Sequence, residues 1–307
     1  MRMVVGSILL FLCAGSPLIR GESSLAIPLL DRSASAAASG EAGAFLAGLD
    51  AVAVNPAGLA GAQREWNANY RQMPLDTTLN GMAFAQPIRS LQTTVAVSYS
   101  ALRSINLERR GLDGHPTGEF RHEEQILGFH VARPFRLGEK IIDVGAGVKS
   151  IQARIDTYSG TGLAMDFGVR TRMTGFPLTL SATVLNVGEG PTLITEKAEL
   201  PTSYGVSAAY QPHAHFTILG GAAIFPNQNI SNATCGVEYG VGALLSFRGH
   251  YALGTGTEGR TGWGQLVGGL GLNLGRLRLD YAFQPAGDEL AEAGAPATQH
   301  ATLTFAF

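Results

Sequence analysis

The sequence predicts an all-β protein: a closed antiparallel transmembrane β-barrel of about 14 strands with a short, partly helical N-terminal plug. Three observations predict it. From residue 64 onward, stretches of roughly ten residues alternate apolar with small or polar side chains, which is the period-two signature of strands. The connections between these stretches fall into a short set and a mostly longer set that alternate along the chain. Hydrophobic residues make up 45% of the chain and charged residues only 15%, a low charged share for a soluble globular protein.

Taken in order, residues 1–21 read as a secretory signal peptide. Arg2 supplies the positive charge, Val4 to Leu12 a short apolar core, and Ala14, Gly15 and Ser16 small residues, with Gly21 a second cleavage point. Leu12 before Cys13 is large for a lipobox, which argues against lipid attachment there. Loss of Arg2 and Arg20 leaves 20 basic residues against 24 acidic, a net charge of −4 that excludes nucleic acid as an expected partner. The other cysteine is Cys235, so no intrachain disulfide is expected in the mature chain. Residues 22–62 read as an N-terminal plug or hatch, alanine-rich and partly helical between 33 and 62, with Pro56 ending a helix near Asn55. Residues 63–307 read as the barrel.

Predicted strands cover 64–72, 79–87, 91–101, 122–133, 140–155, 160–171, 176–187, 201–211, 214–225, 231–240, 243–253, 263–274, 276–285 and 298–307. Leu277, Leu279, Tyr281 and Phe283 alternate with Arg278, Asp280, Ala282 and Gln284; Leu163, Met165, Phe167 and Val169 alternate with Ala164, Asp166, Gly168 and Arg170. Each stretch is near the ~9–11 residues of a membrane-spanning strand. No segment after the signal has the ~18 uninterrupted apolar residues of a membrane helix.

Connections on the side of the first strand's start are short: 88–90, 134–139, 172–175, 212–213, 241–242 and 275. Those on the other side include 102–121, 188–200, 254–262 and 286–297, with 73–78, 156–159 and 226–230 shorter. Short periplasmic turns and long outer loops have this asymmetry, and an even strand count places both termini in the periplasm. A soluble sandwich or periplasmic barrel would carry a richly charged outer face, whereas here the polar face is mostly Gly, Ala, Ser and Thr. Closure follows from physics, because an open edge in lipid would leave backbone N–H and C=O groups unpaired.

Three stretches resemble a known family: Gly40-Glu-Ala-Gly-Ala-Phe-Leu-Ala-Gly-Leu-Asp50 running on to Asn55-Pro-Ala-Gly-Leu-Ala60, then Leu200-Pro-Thr-Ser-Tyr-Gly-Val206, then Gly269 to Phe283 with a last strand ending in Phe307. In that order they resemble the FadL-like outer-membrane superfamily, and more closely its PorV/PorQ (UPF0164) branch. The resemblance implies a fourteen-stranded barrel with its N-terminal segment in the lumen. It implies one of two functions: transport of hydrophobic small molecules across the outer membrane, or, as in PorV, a part in type IX protein secretion or surface assembly that binds protein cargo. The chain is shorter than typical full-length transporters of this kind.

Candidate site residues follow. Asn55, Pro56 and Gly58 are plug or gate candidates. Asp166, Arg170, Arg248, His250, Arg278 and Asp280 are predicted to face the lumen, either lining a pore, contacting the plug, or simply hydrating and pairing across the wall. Phe305 and Phe307 close an alternating terminal strand and resemble the signal read by the barrel assembly machinery. Trp66, Tyr70, Tyr251, Trp263 and Phe307 fit an interfacial girdle beside outer-membrane lipid.

Other motifs carry less. Gly254-Thr-Gly-Thr-Glu-Gly259 matches a nucleotide fingerprint but leads into a strand rather than a helix. His213 and His215 would share a strand face without a third ligand, so no metal is expected. His122-Glu-Glu-Gln lacks the second histidine of a zinc-protease helix, and no G-x-S-x-G elbow is present. The Asn229 and Asn232 sequons are discounted in a bacterial protein. No enzyme activity and no cofactor are expected.

Overall fold

The computed structural model describes residues 25–30, 33–110, 115–173, 175–255, 263–286 and 296–307. The expected signal peptide and most of the Gly254–Gly259 motif lie outside them. Among the described residues sixteen strands form: β1 (Glu65–Met73), β2 (Thr77–Ile88), β3 (Thr93–Arg110), β4 (Pro116–Leu137), β5 (Lys140–Ile155), β6 (Tyr158–Met173), β7 (Leu178–Glu189), β8 (Thr192–Leu193), β9 (Glu196–Lys197), β10 (Ser203–His213), β11 (Phe216–Phe225), β12 (Ile230–Val241), β13 (Leu245–Thr255), β14 (Trp263–Leu274), β15 (Leu277–Gln284) and β16 (Thr298–Ala306). Fourteen of them close a barrel, and β8–β9 is a separate two-stranded hairpin. The barrel closes by β1 pairing antiparallel to β16, from Glu65 opposite Ala306 to Gln72 opposite Gln299.

Alternation sets the two faces. On β6, Leu163, Met165, Phe167 and Val169 are exposed on the outer wall, while Ala164, Asp166 and Arg170 are buried inside. β4 repeats this, with Leu127, Phe129 and Val131 outside and Ile126, His130 and Ala132 inside. The result inverts a soluble protein: apolar outside and mixed polar inside.

The rim carrying the start of β1 and the end of β16 is called the near rim. Its turns join β2–β3, β4–β5, β6–β7, β10–β11, β12–β13 and β14–β15. The far rim carries the other connections. There the expected 102–121 loop is corrected. β3 and β4 run on as a paired hairpin, with Leu107 opposite Phe120 and Arg109 opposite Gly118, beyond the point where β2 and β5 stop. Past the rim the hairpin no longer has one face on the apolar outer wall and one on the barrel interior, so the apolar alternation that marks a strand is missing from Leu107 to Arg121. The 188–200 connection likewise contains β8–β9.

The N-terminal segment lies inside the barrel. It consists of α1 (Ile27–Leu30), α2 (Ala34–Ser39) and three 3-10 turns at Gly40–Phe45, Gly48–Ala51 and Pro56–Leu59. Between them these touch every strand of the barrel wall. Ser33 caps α2, its side chain accepting from the Ala36 N–H at 3.2 Å. Pro56 does not end a helix; it begins one. Asn55 is the N-cap, its Oδ1 accepting from the Ala57 N–H at 3.0 Å, and Pro56 occupies the first turn. A proline has no N–H to lose there, and its fixed φ suits a helix start.

Candidate functional site

The inner segment starts toward the far rim and ends at the near one. Leu25 and Ile27, 1% and 0% exposed, pack into an apolar cluster with Leu79, Leu102, Ile126, Ile151 and Leu200 near the far mouth. Glu124, on β4 and fully buried, holds this end by its backbone. Its carboxylate accepts from the Ala26 N–H at 2.9 Å and from the Ile27 N–H at 2.8 Å, and lies 2.7 Å from His122 Nε2. Charged acceptors of this kind form the stronger hydrogen bonds.

The connection from β7 to β10 folds over the same cluster and brings in Leu200. A bulge in β7 sets Leu185 and Asn186 against the single residue Asp166 of β6. Asn186 has a left-handed φ of 59°, and its N–H donates to Asp166 Oδ1 at 2.8 Å. Its Nδ2 donates to the Pro201 carbonyl at 3.1 Å, the Thr202 hydroxyl donates to its carbonyl at 2.9 Å, and Asn227 Nδ2 donates to the Leu200 carbonyl at 3.0 Å. The Leu200-Pro-Thr-Ser stretch is therefore pinned by two asparagines.

Near the other end, the Asn55-Pro56 turn sits on a gap in the wall. Gly145 of β5 pairs directly with Gly168 of β6. A Cβ on Gly145 would stand 2.3 Å from the Pro56 carbonyl carbon and the Ala57 nitrogen, and one on Gly168 would stand 2.0 Å from Asn55 Oδ1. Only this paired absence of side chains lets the turn approach the sheet so closely. Gly58 serves packing within the segment, since a Cβ there would meet the Ala51 Cβ at 2.2 Å.

Charged wall residues grip the segment between these ends. Arg170 donates to the Leu46 carbonyl at 2.9 Å and to the Phe45 carbonyl at 3.3 Å, while Asp143 receives its Nε at 2.9 Å. Arg172 reaches the same Asp143 at 3.1 Å. Opposite, Arg278 pairs with Asp50 of the segment and with Asp280 at 2.7 Å. Arg248 bridges Asp280 and Glu238, both at 2.7 Å. Glu65 accepts from the Leu49 N–H at 2.7 Å. His250 Nδ1 lies 2.9 Å from the Ala38 carbonyl.

Of the six lumen candidates, Arg170, Arg278 and His250 thus contact the inner segment. Arg248 and Asp280 support Arg278 from the wall, and Asp166 pairs with Lys149 at 2.8 Å. Glu124, Asp143, Lys149, Asn186 and Asp50 belong to the same machinery but were not singled out from sequence. For Glu124, Asp143 and Lys149 the signal was present in period-two register, each at an inward position of its strand, whereas Asn186 turns inward only through the β7 bulge. Ser98 Oγ lies 3.0 Å from His130 Nε2, but His130 Nδ1 has no hydrogen-bond partner among the described residues. That pair therefore lacks the orienting acceptor of a hydrolytic triad.

At the near rim, Phe307 packs edge-on to Phe305 at 5.1 Å and to Phe84 at 6.3 Å, and its N–H donates to the Arg64 carbonyl at 3.0 Å. His213 ends β10 and His215 lies in the following turn, both exposed, so they do not share a strand face. No group of three metal-ligating side chains occurs among the described residues.

No protein-family model and no curated protein matches the sequence. Solved structures do. The Pseudomonas putida toluene transporter TodX is similar with a TM-score of 0.60 at 11% identity, over 89% of this chain and 96% of TodX. A Pseudomonas aeruginosa FadL homologue gives 0.61 at 10% identity, over 90% of this chain and 98% of its own. At such identities the likeness is one of fold alone.

Proposed function

We propose that the protein is an outer-membrane transporter that admits hydrophobic small molecules from the far rim. One observation carries this reading. Beneath the far mouth, inside a barrel that is apolar on its outer wall, lies an apolar chamber filled by the chain's own Leu25 and Ile27. That end is held by backbone hydrogen bonds to Glu124, so the same apolar walls suit a hydrophobic solute in place of those two side chains. The TodX and FadL-homologue likeness supports the reading, because the first is described as a toluene transporter. The outer apolar wall supports a bilayer position, and the short turns support a periplasmic near rim.

The inner segment spans the lumen and touches every wall strand, so passage requires part of it to move. Asn55, Pro56 and Gly58 form the seat at the periplasmic end, and Arg170, His250 and Arg278 the lateral grips. The test is uptake of an apolar fluorescent probe by proteoliposomes. Wild-type protein should accelerate it, and Glu124→Ala should accelerate it further. Equal rates with and without protein would refute the reading. The β3–β4 hairpin beyond the far rim supports a second reading, a PorV-like site for secreted protein cargo. Deleting 106–119 should then abolish cargo binding but leave uptake intact.

A further inference from the structure

The near rim is electrostatically one-sided. Arg64, Arg89, Arg133, Arg136, Lys140 and Arg276 are all exposed there, and among the described residues none of the six is ion-paired. They occupy one continuous arc, from the β14–β15 turn through β16, β1 and the β2–β3 turn to the β4–β5 turn. Glu139 is the exposed carboxylate side chain within that arc. The remaining near-rim turns, 174–177, 214–215 and 242–244, contain no lysine or arginine, and expose Phe176 and Leu244 instead.

Two of these cations sit on the aromatic edge of the outer wall. The Arg64 guanidinium carbon lies 4.9 Å from the Phe307 ring centre and 5.7 Å from that of Phe84, and Arg133 lies 5.4 Å from Phe135. Phe135 and Phe307 are outward-facing and about half exposed, at 47% and 54%. Their guanidinium groups therefore stand where the apolar wall ends. In a bilayer that is the level of the headgroup phosphates. Five of the six cations are arginine, whose planar fork of N–H donors matches a phosphate bidentately.

We propose that this arc binds the phosphates of anionic glycerophospholipids, so that the protein carries a one-sided shell of such lipids at its near rim. The proposal rests on the membrane reading above. Guanidinium groups stacked on rings of the lipid-facing wall favour a lipid over an acidic polypeptide, which would have to dock at the level of the bilayer surface.

The test is native mass spectrometry of protein released from nanodiscs made of equal parts phosphatidylcholine and phosphatidylglycerol. Wild-type protein should retain phosphatidylglycerol above the supply ratio, by about fivefold for each cation engaged. Half-molar salt should remove the enrichment, and millimolar inorganic phosphate should not. The variant Arg64→Gln, Arg89→Gln, Arg133→Gln, Arg136→Gln, which keeps only Lys140 and Arg276 of the arc, should lose most of the enrichment. A far-rim control with four charges removed (Arg103, Arg109, Arg121 and Arg154→Gln) should keep the enrichment, and heat-modifiable gel mobility reports that each variant folds. Wild-type retention at the supply ratio, or undiminished enrichment in the near-rim variant, overturns the proposal. Supply-ratio lipid with salt-sensitive binding of polyglutamate overturns it in favour of an acidic polypeptide. Protein that folds but enters no bilayer overturns the membrane reading itself, which is a distinct result.

Discussion

Adding one methyl group to the wall at Gly145 should unseat the inner segment while leaving the barrel intact. In Gly145→Ala the new Cβ would lie 2.3 Å from the Pro56 carbonyl carbon and 2.5 Å from its oxygen, against backbone that cannot rotate away. Relieving the clash means lifting the Asn55-Pro56 turn off the sheet. Overpacking of this kind costs about 1–3 kcal/mol, and disturbing the Asn55 cap adds about 1 kcal/mol. The seated state should thus lose about 2–4 kcal/mol, or roughly 30- to 700-fold in population at 1.4 kcal/mol per decade. The wall itself should not suffer, because alanine is no worse than glycine within a strand.

The assay is amide hydrogen exchange of the folded barrel. The Gly58 N–H donates to the Asn55 carbonyl at 2.9 Å, and the Ala60 N–H to the Ala57 carbonyl at 3.1 Å. Both should exchange faster by that factor in Gly145→Ala, with β4–β6 amides unchanged. A paired variant sharpens the test. Gly168→Ala should also unseat the turn, its Cβ standing 2.0 Å from Asn55 Oδ1. Adding Asn55→Ala removes that oxygen and should partly rescue Gly168→Ala, but not Gly145→Ala, whose clash is with backbone. Exchange at Gly58 and Ala60 within threefold of wild type in Gly145→Ala would refute the seat.

Further outcomes follow from the other contacts. Arg278→Gln leaves Asp50 buried beside Asp280 without its cation, and should loosen residues 48–51 by about 2–4 kcal/mol, read as faster exchange at Leu49 and Val52. Asp50→Asn should cost less, because no unpaired charge remains. Leu200→Ala removes a 3%-exposed side chain from the far-mouth cluster, and should destabilise the β7–β10 connection by about 2–5 kcal/mol, seen as earlier proteolysis within 190–202. Phe307→Ala loses its contacts with Phe84, Phe305 and Arg64, and should slow folding into vesicles, measured by the heat-modifiable gel shift. An unchanged assembly rate would set aside Phe307 as an assembly signal.

Much of the wall was legible because a strand with an apolar outer face and a mixed inner face must declare itself in period two. Leu163 to Val169 and Leu279 to Phe283 place every second, apolar side chain on the exposed outer wall, so periodicity alone reveals the strand and its inward register. That is why Asp166, Arg170, Arg248, His250, Arg278 and Asp280 could be assigned an inward direction before any contact was known. The signal fades where the apolar outer wall ends. The hairpin of β3 and β4 past Ser104 and His122 has polar residues on both faces, and in sequence it reads as a loop.

The inner segment was legible as a unit but not as a structure. Asn55-Pro56 could be recognised as a turn, yet whether proline closed one helix or opened another depended on whether the Asn55 side chain found the Ala57 N–H. Its seat was invisible in one dimension, since Gly145 and Gly168 lie 23 residues apart and become neighbours only through the β5–β6 register. Likewise Glu124 drew notice only as part of a failed zinc motif, because its partners at Ala26 and Ile27 are separated from it by nearly a hundred residues.

The sequence by itself determined a closed barrel, its approximate strand count, the inside and outside of its regular strands, and which end carries the short turns. These follow from local periodicity and from the cost of leaving backbone groups unpaired in lipid. Only the tertiary structure decided which inward charges hold the N-terminal segment, that its described part runs from the far mouth to the near rim, and that an apolar chamber at the far mouth is filled by Leu25 and Ile27. Those are contacts across the lumen between residues distant in the chain, and no local pattern encodes which of them meet.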